Sequence, residues 1–380
     1  MPRAGASELA LTTAERAVGA RKQHELKRLR VQKWQVPPGK EKEAAARLVQ
    51  EPAVEWAQPN YVYQALVEET SPPILPSLLA QVLPNDPYLD SQWGLKRVRA
   101  PDAWMITRGD PSVTVAVVDT GLDFSHPDKP THLMPGFNFI DPNQPPNDDY
   151  GHGTRVTGII AAATDNSEGI AGVAPEITVM ELKVLDSTGQ GTEYDVAQAL
   201  DYAASHGARI VNLSLGGSGD PDDVMCNATA QSYASGLLLV AAAGNSGPPP
   251  IYPAACPGVL AVGATDDTDA VAYFSVPGSY VSLAAPGVYI LSTTMGGDYG
   301  YGSGTSFASP HVAGAAALIW SAQPSLSVED VATILKSTAQ DIGDPGWDQY
   351  SGWGRLDAKA AIDLATKGLD HLFFPLVHGS

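Results

Sequence analysis

The order of apolar runs predicts an α/β protein: a doubly wound, mostly parallel sheet flanked by helices, preceded by a small α+β domain. Three observations carry this. Apolar runs recur near positions 113–118, 177–184, 209–215, 236–243 and 258–264, and helical stretches such as TEYDVAQALDYAASHG lie between most of them. The first run, VTVAVVD (Val113 to Asp119), is nearly continuous and β-branched rather than alternating, which is the pattern of a strand buried on both faces. The charge also divides: residues 1–66 carry a net +4 and residues 67–380 a net −23, together the −19 of the whole chain.

Each element follows in order. Within residues 1–66, TTAERAVGARKQHELKRLR predicts a basic helix and VQKWQV a strand. KEKEAAARLVQ predicts a second helix, and AVEWAQPNYVYQAL a returning strand and tail. Residues 67–85 read as a Pro-rich linker without a core pattern. Residues 86–367 hold the sheet, closed by surface helices in SLSVEDVATILKSTA and GRLDAKAAIDLA; residues 368–380 are an uninformative tail. A length of 380 residues suits one large domain plus a small one, and 37 Gly with 31 Pro suits a loop-rich α/β enzyme. The acidic balance argues against a nucleic-acid partner. The longest apolar stretches, such as GAAALIW, are too short to span a bilayer. Two cysteines exclude a thiolate zinc centre. Residues 1–10 lack the apolar region of a signal peptide.

Three segments end in side chains that make a serine nucleophile possible: VAVVDTG around Asp119, DDYGHGTRVTG around His152 and GTSFASPHVAG around Ser306. A serine hydroxyl needs a base within hydrogen-bond reach, and the base needs an orienting partner. Asp119 closes a buried strand, where open α/β sheets place their sites. His152 stands between two glycines at the start of an apolar helical run. Ser306 opens an Ala-rich helix, where its backbone N–H is able to stabilise an anion. Taken singly, these residues have plainer uses: a turn-capping Asp, a structural His and an N-cap Ser; His126, also near these segments, lacks the Gly-His-Gly setting. Asn245, after Gly in LLLVAAAGNSG, is taken singly a turn former.

The order Asp…His…Ser, with glycine around each reactive residue, resembles the subtilisin family, the subtilases, and among them the thermitase-like branch. The resemblance runs from about Asn85 to Thr366. It implies a serine endopeptidase with Asn245 as second oxyanion donor beside the Ser306 amide. It implies that Ser214, Leu215 and Gly216 of NLSLGG pair with an extended peptide substrate. The pocket for the residue before the scissile bond falls to Ala242, Gly244 and Ile251. That pocket is expected to be apolar, shallower than one floored by Gly, and to prefer Leu or medium apolar side chains. The GYGS stretch, Gly300 to Ser303, would support the nucleophile loop. Phe307 departs from the Met usual after the nucleophile and removes an oxidation-prone thioether.

Structural Ca²⁺ is the implied cofactor. TDNSEGI resembles the family's calcium loop, giving Asn166 by side chain and Thr164, Glu168 and Ile170 by carbonyl, with Asp86 and Asp128 as carboxylates. A weaker second site is implied at Asp141, Asn143 and Asn147. Residues 1–66 resemble a propeptide that assists folding and inhibits, ending at Leu66, with Tyr63, Gln64, Ala65 and Leu66 in the nonprime subsites and self-cleavage at Leu66–Val67. The first strand of such propeptides is not evident. Cys226 and Cys256 bracket the Asn245 strand and stand either as a disulfide or as two buried thiols. The expected partners are protein or peptide substrates and the chain's own propeptide, with no membrane and a monomeric, extracellular enzyme. Three rivals remain: a binding protein on the same fold, a sedolisin-type acid peptidase, and a zymogen held inactive until a partner removes residues 1–66. The sedolisins use Glu where this chain has His152.

Overall fold

The structure, a computed structural model, describes residues 1–67, 84–219 and 224–367. Most of the expected linker and the whole of the expected tail lie outside the described residues.

The N-terminal body begins with α1 (Glu8–Ala17), capped by the Ser7 hydroxyl, which accepts from Ala10 N–H. Gly19, at φ +65°, turns the chain out of the helix. Strand β1 (Arg21–Leu26) then pairs antiparallel with β2 (Val31–Gln35), and α2 (Glu41–Leu48) follows. The basic helix expected over residues 12–30 is therefore corrected: it ends at Ala17, and its second half is a strand. RKQHEL has good helix formers but no apolar period to bury. The hairpin instead places Leu26, Leu29 and Val31 in the same buried cluster as Val196 and Leu200 of the main body. The tail ends in the short strand β3 (Val62–Ala65).

The main body opens with short helices α3 (Trp93–Arg97) and α4 (Ala100–Ala103). There follow β4 (Thr114–Asp119), β5 (His132–Asn138), α5 (His152–Ala161), β6 (Thr178–Lys183), β7 (Gln190–Thr192) and α6 (Glu193–Ser205). Next come β8 (Ile210–Leu213), β9 (Leu215–Gly216), α7 (Val224–Ala234), β10 (Leu238–Ala242), β11 (Val259–Thr265) and β12 (Val281–Pro286). The chain closes with β13 (Ile290–Thr294), β14 (Asp298–Gly302), α8 (Thr305–Ala322), α9 (Val328–Ser337) and α10 (Ala358–Lys367).

Seven strands form one parallel sheet in the order β12-β11-β10-β8-β4-β6-β5. The five expected strands are its interior. The two edges, β5 and β12, had no continuous apolar run to announce them; β5 carries Pro135 and Gly136 and a register irregularity there. Alternate β4 residues face opposite layers. Val115 and Val117 pack with Val312 and Leu318 of α8, while Ala116 and Val118 pack with Val196 and Leu200 of α6. Among the described residues no helix is long and apolar enough to cross a membrane.

Cys226 and Cys256 form a disulfide, which settles the alternative left open by the sequence. It ties α7 to the turn that follows Ile251 and Tyr252.

Candidate active site

Asp119, fully buried at the carboxyl end of β4, accepts a 2.7 Å hydrogen bond on Oδ1 from His152 Nδ1. His152 is the first residue of α5. Gly153 lets that helix start so close to the strand, because a Cβ there would fall 2.2 Å from Gly121 O. The turn is fixed by two further residues of the segments around Asp119 and His152, Thr120 and Asp148. Thr120 Oγ1 donates to Asp148 Oδ1 at 2.8 Å and accepts from Gly153 N–H at 2.8 Å. Asp148 Oδ2 accepts from both Thr154 N–H (2.9 Å) and Thr154 Oγ1 (2.6 Å). Lys183, buried on β6, donates to Thr120 O and Leu185 O and to the carboxylate of Asp149. The legible signal was an acid four residues ahead of the helix-opening His.

His152 Nε2 is buried without a hydrogen-bond partner among the described residues. Ser306, fully buried near the start of α8, directs its hydroxyl to the carbonyl oxygen of Leu66. Pro310 cannot donate to the Ser306 carbonyl as a fourth residue along a helix normally would. Ser214 Oγ fills the place, donating to Ser306 O at 2.8 Å. A cleft residue thus holds the nucleophile's own backbone.

Asn245 is aimed by its other end. Its Oδ1 accepts from Thr305 N–H and Thr305 Oγ1, both at 2.8 Å, so its amide nitrogen points away from them. That nitrogen is buried and unpartnered among the described residues. Gly304, at φ +152°, keeps the space open: a Cβ there would lie 2.6 Å from Leu66 O, 2.9 Å from Asn245 Nδ2 and 3.1 Å from Ser306 Oγ. Three groups therefore surround one point.

The chain ahead of Leu66 fills the cleft. Strand β3 lies antiparallel between β7 and β9, with Tyr63 opposite Gly191, Gln64 opposite Gly216 and Ala65 opposite Leu215. Leu66 N–H donates to Ser214 O at 3.3 Å. The Leu66 side chain lies over Gly216, whose missing Cβ would stand 3.3 Å from it and 2.9 Å from Ile251. Ile251 also closes on Gly244. Ala242 is buried at the end of β10, paired with Val262. Phe307 sets its ring edge-on to His152, centroids 6.3 Å apart, in the space left by the missing Cβ of Gly302. His126 is structural: its Nδ1 accepts from Asp128 N–H at 3.0 Å, and its Nε2 faces Asp298 O.

The subtilase family model, peptidase S8, matches residues 110–354. The chain belongs to the subtilase family. It is 41% identical to thermitase of Thermoactinomyces vulgaris over 281 residues, 73% of this chain and 99% of thermitase. It is 40% identical over 313 residues to the thermophilic serine proteinase of Bacillus sp. strain AK1, covering 82% of this chain and 73% of that one. Among solved structures, fervidolysin of Fervidobacterium pennivorans, a keratinolytic enzyme related to subtilisin, superposes with a TM-score of 0.82 at 28% identity. That match covers 94% of this chain, which spans 60% of fervidolysin's length. This subtilase is accordingly a serine peptidase.

Away from the cleft, the subtilase gathers Asp86, Asp128 and the loop Thr164 to Ile170. Asp128 accepts from Ile170 N–H at 2.8 Å and Asn166 Nδ2 at 2.9 Å. Asp86 Oδ2 accepts from Asp165 N–H at 3.1 Å, and its Oδ1 is buried without a partner among the described residues. Burial, with Asp128 adding, pushes the Asp86 carboxyl up to about 6; burial raises Asp128 as well. Two dry carboxylates with an orphaned oxygen fit a hard cation. Asn166 Oδ1 here accepts from Glu168 N–H, so service as a side-chain ligand requires its amide to turn over. At the weaker site, Asp141 Oδ1 is taken by Asn143 N–H and Asn143 Nδ2 in an exposed turn. Asn147 enters there through its backbone, donating to Pro145 O and bridging to Leu122. Among the described residues no three His, Cys, Asp or Glu side chains cluster as a metal site.

Proposed function

We propose that this subtilase is a calcium-stabilised endopeptidase made as a zymogen that cuts its own Leu66–Val67 bond. The supporting observation is the Leu66 carbonyl, held at Ser306 Oγ beside the unpartnered Asn245 amide. In this mechanism His152 Nε2 takes the Ser306 proton as Oγ attacks the Leu66 carbonyl carbon. Asp119 holds the imidazole in the tautomer with its proton on Nδ1 and stabilises the imidazolium. The oxyanion takes hydrogen bonds from Ser306 N–H and Asn245 Nδ2. Collapse breaks the Leu66–Val67 bond, and His152 hands its proton to the Val67 amine. Water, deprotonated by His152, then attacks the acyl-enzyme and frees the Leu66 carboxylate.

Residues 1–66 remain as an occupant of the cleft and so as an inhibitor. Their basic surface suits the acidic body: Arg28 pairs with Asp201 at 2.9 Å. Other substrates would lie as β3 does, read mainly through backbone, with Leu or another medium apolar side chain over Gly216 and against Ile251. Asp86, Asp128 and the loop carbonyls would hold Ca²⁺, which supplies a fixed positive charge that joins separate segments. The disulfide suits an oxidising, extracellular setting.

A fluorophosphonate probe tests the mechanism. The parent labels at Ser306 near neutral pH and yields a new N-terminus at Val67. Ser306→Ala loses both labelling and processing. Labelling that persists in Ser306→Ala, or a new N-terminus elsewhere, overturns the assignment.

A further inference from the structure

Glu181 is a buried titratable group that the mechanism above leaves unused. It lies on β6, opposite Val117 in the register with β4, and is 1% exposed. Its Oε1 accepts a 2.6 Å hydrogen bond from Thr157 Oγ1. Thr157 belongs to α5, the helix that His152 opens. Glu181 Oε2 is buried with no hydrogen-bond partner among the described residues.

The charged groups packed around it give no support to an anion. Asp119 and Asp148 both act on it with negative charge. Lys183, two residues along the strand, commits its ammonium to Thr120 O, Leu185 O and Asp149. Arg155 of α5 reaches to Tyr301 O, and His152 Nδ1 is held by Asp119. A dry carboxylate with one bare oxygen and two negative neighbours has only the Thr157 hydroxyl to hold its charge, which does not offset burial. Burial, with Asp119 and Asp148 adding, accordingly raises this carboxyl well above the ordinary range.

We propose that Glu181 is a positioning residue for the His152–Asp119 pair: an uncharged carboxylic acid that ties α5 to the sheet through Thr157 and so holds the imidazole over Asp119. The inference rests on His152 as the general base. A neutral acid offers Thr157 an acceptor without setting a third negative charge beside Asp119. An ionised Glu181 would stabilise the imidazolium and move the acid limb of the pH profile upward. The two states therefore differ in a measurable way.

The sign for stability is fixed by the same protonation. The native state keeps a proton that the unfolded chain releases above its ordinary glutamate value. Stability from this group is thus full in acid and falls as pH rises toward the native value. A glutamine needs no such proton.

The test compares Glu181→Ala, Thr157→Val and Glu181→Gln with the parent enzyme on a peptide amide substrate. Glu181→Ala and Thr157→Val are expected to lose roughly tenfold in kcat with KM within about twofold, as a displaced base would cause. Glu181→Gln is expected to restore kcat to within about twofold and leave the acid limb unmoved. Its Tm advantage over the parent grows as pH rises above the ordinary glutamate range. A downward move of the acid limb in Glu181→Gln by about half a unit or more shows that Glu181 was an anion, and overturns the proposal. Parent-like kcat in Thr157→Val and Glu181→Ala also overturns it. If Glu181→Ala does not fold, Thr157→Val and Glu181→Gln carry the decision. His152→Ala separately tests the general base: hydrolysis that survives it defeats the mechanism, whatever the Glu181 variants do.

Discussion

Asn245 owes its direction to Thr305, which donates both hydrogen bonds that its side-chain oxygen accepts. Asn245→Ala should therefore remove an aimed donor and cost roughly 100- to 1000-fold in kcat with little change in KM, the scale typical when a subtilisin loses this group. Steady-state kinetics on a peptide amide checks it. His311 belongs to the same helix as Ser306 but not to the chemistry. It is fully buried, donates Nδ1–H to Phe307 O at 2.8 Å, and burial pulls its pKa down to about 4. Below about pH 6.5 the unfolded chain takes up a proton that the native ring refuses, so stability is lost between about pH 6.5 and 4. His311→Gln should flatten the fall of Tm across that window; an unchanged slope sinks the argument. The positions of Asp119, His152 and Ser306 were legible because each sits in a short motif of fixed chemistry. Thr120 and Glu181 were not, because an orienting hydrogen bond leaves no periodic trace in sequence; Asp148 left only its spacing from His152.

At the scale of elements, two links join segments that the chain keeps apart. Asp86 and the Thr164 to Ile170 loop are bound through Asp165 N–H, and Asp128 joins them through Ile170 N–H. Chelation should lower Tm, and added Ca²⁺ should restore it; a melting curve indifferent to both removes the calcium proposal. The Cys226–Cys256 bond closes a span of 30 residues, worth roughly 3–4 kcal/mol by loop entropy. A Cys226→Ser/Cys256→Ser variant should show that loss in denaturant midpoint. It should also loosen the turn that carries Ile251, which would broaden the apolar preference proposed for the pocket. Central strands were legible from continuous apolar runs. Edge strands β5 and β12 were not, since an edge tolerates Pro, Gly and polar residues. The helix-rich composition of Arg21–Leu26 likewise gave no hint that pairing with β2 would override it.

For the whole molecule, the occupied cleft belongs to the chain that owns the nucleophile. Processing in cis should then be first order. A hundredfold dilution of the freshly folded full chain should leave the half-time of the proposed cleavage unchanged, and a half-time that lengthens in proportion would mean cleavage between molecules. The charge division near residue 66 was legible from composition, and contacts such as Arg28–Asp201 show where it is spent.

The narrow slot that receives β3, walled by β7 on one side and β9 on the other, has a consequence for clients. It admits a single extended ribbon with both edges free to pair. A folded globule presents no such ribbon until part of it frays. Digestion of intact proteins should keep pace with their own local opening, and a rigid client should outlast a loose one of identical sequence preference.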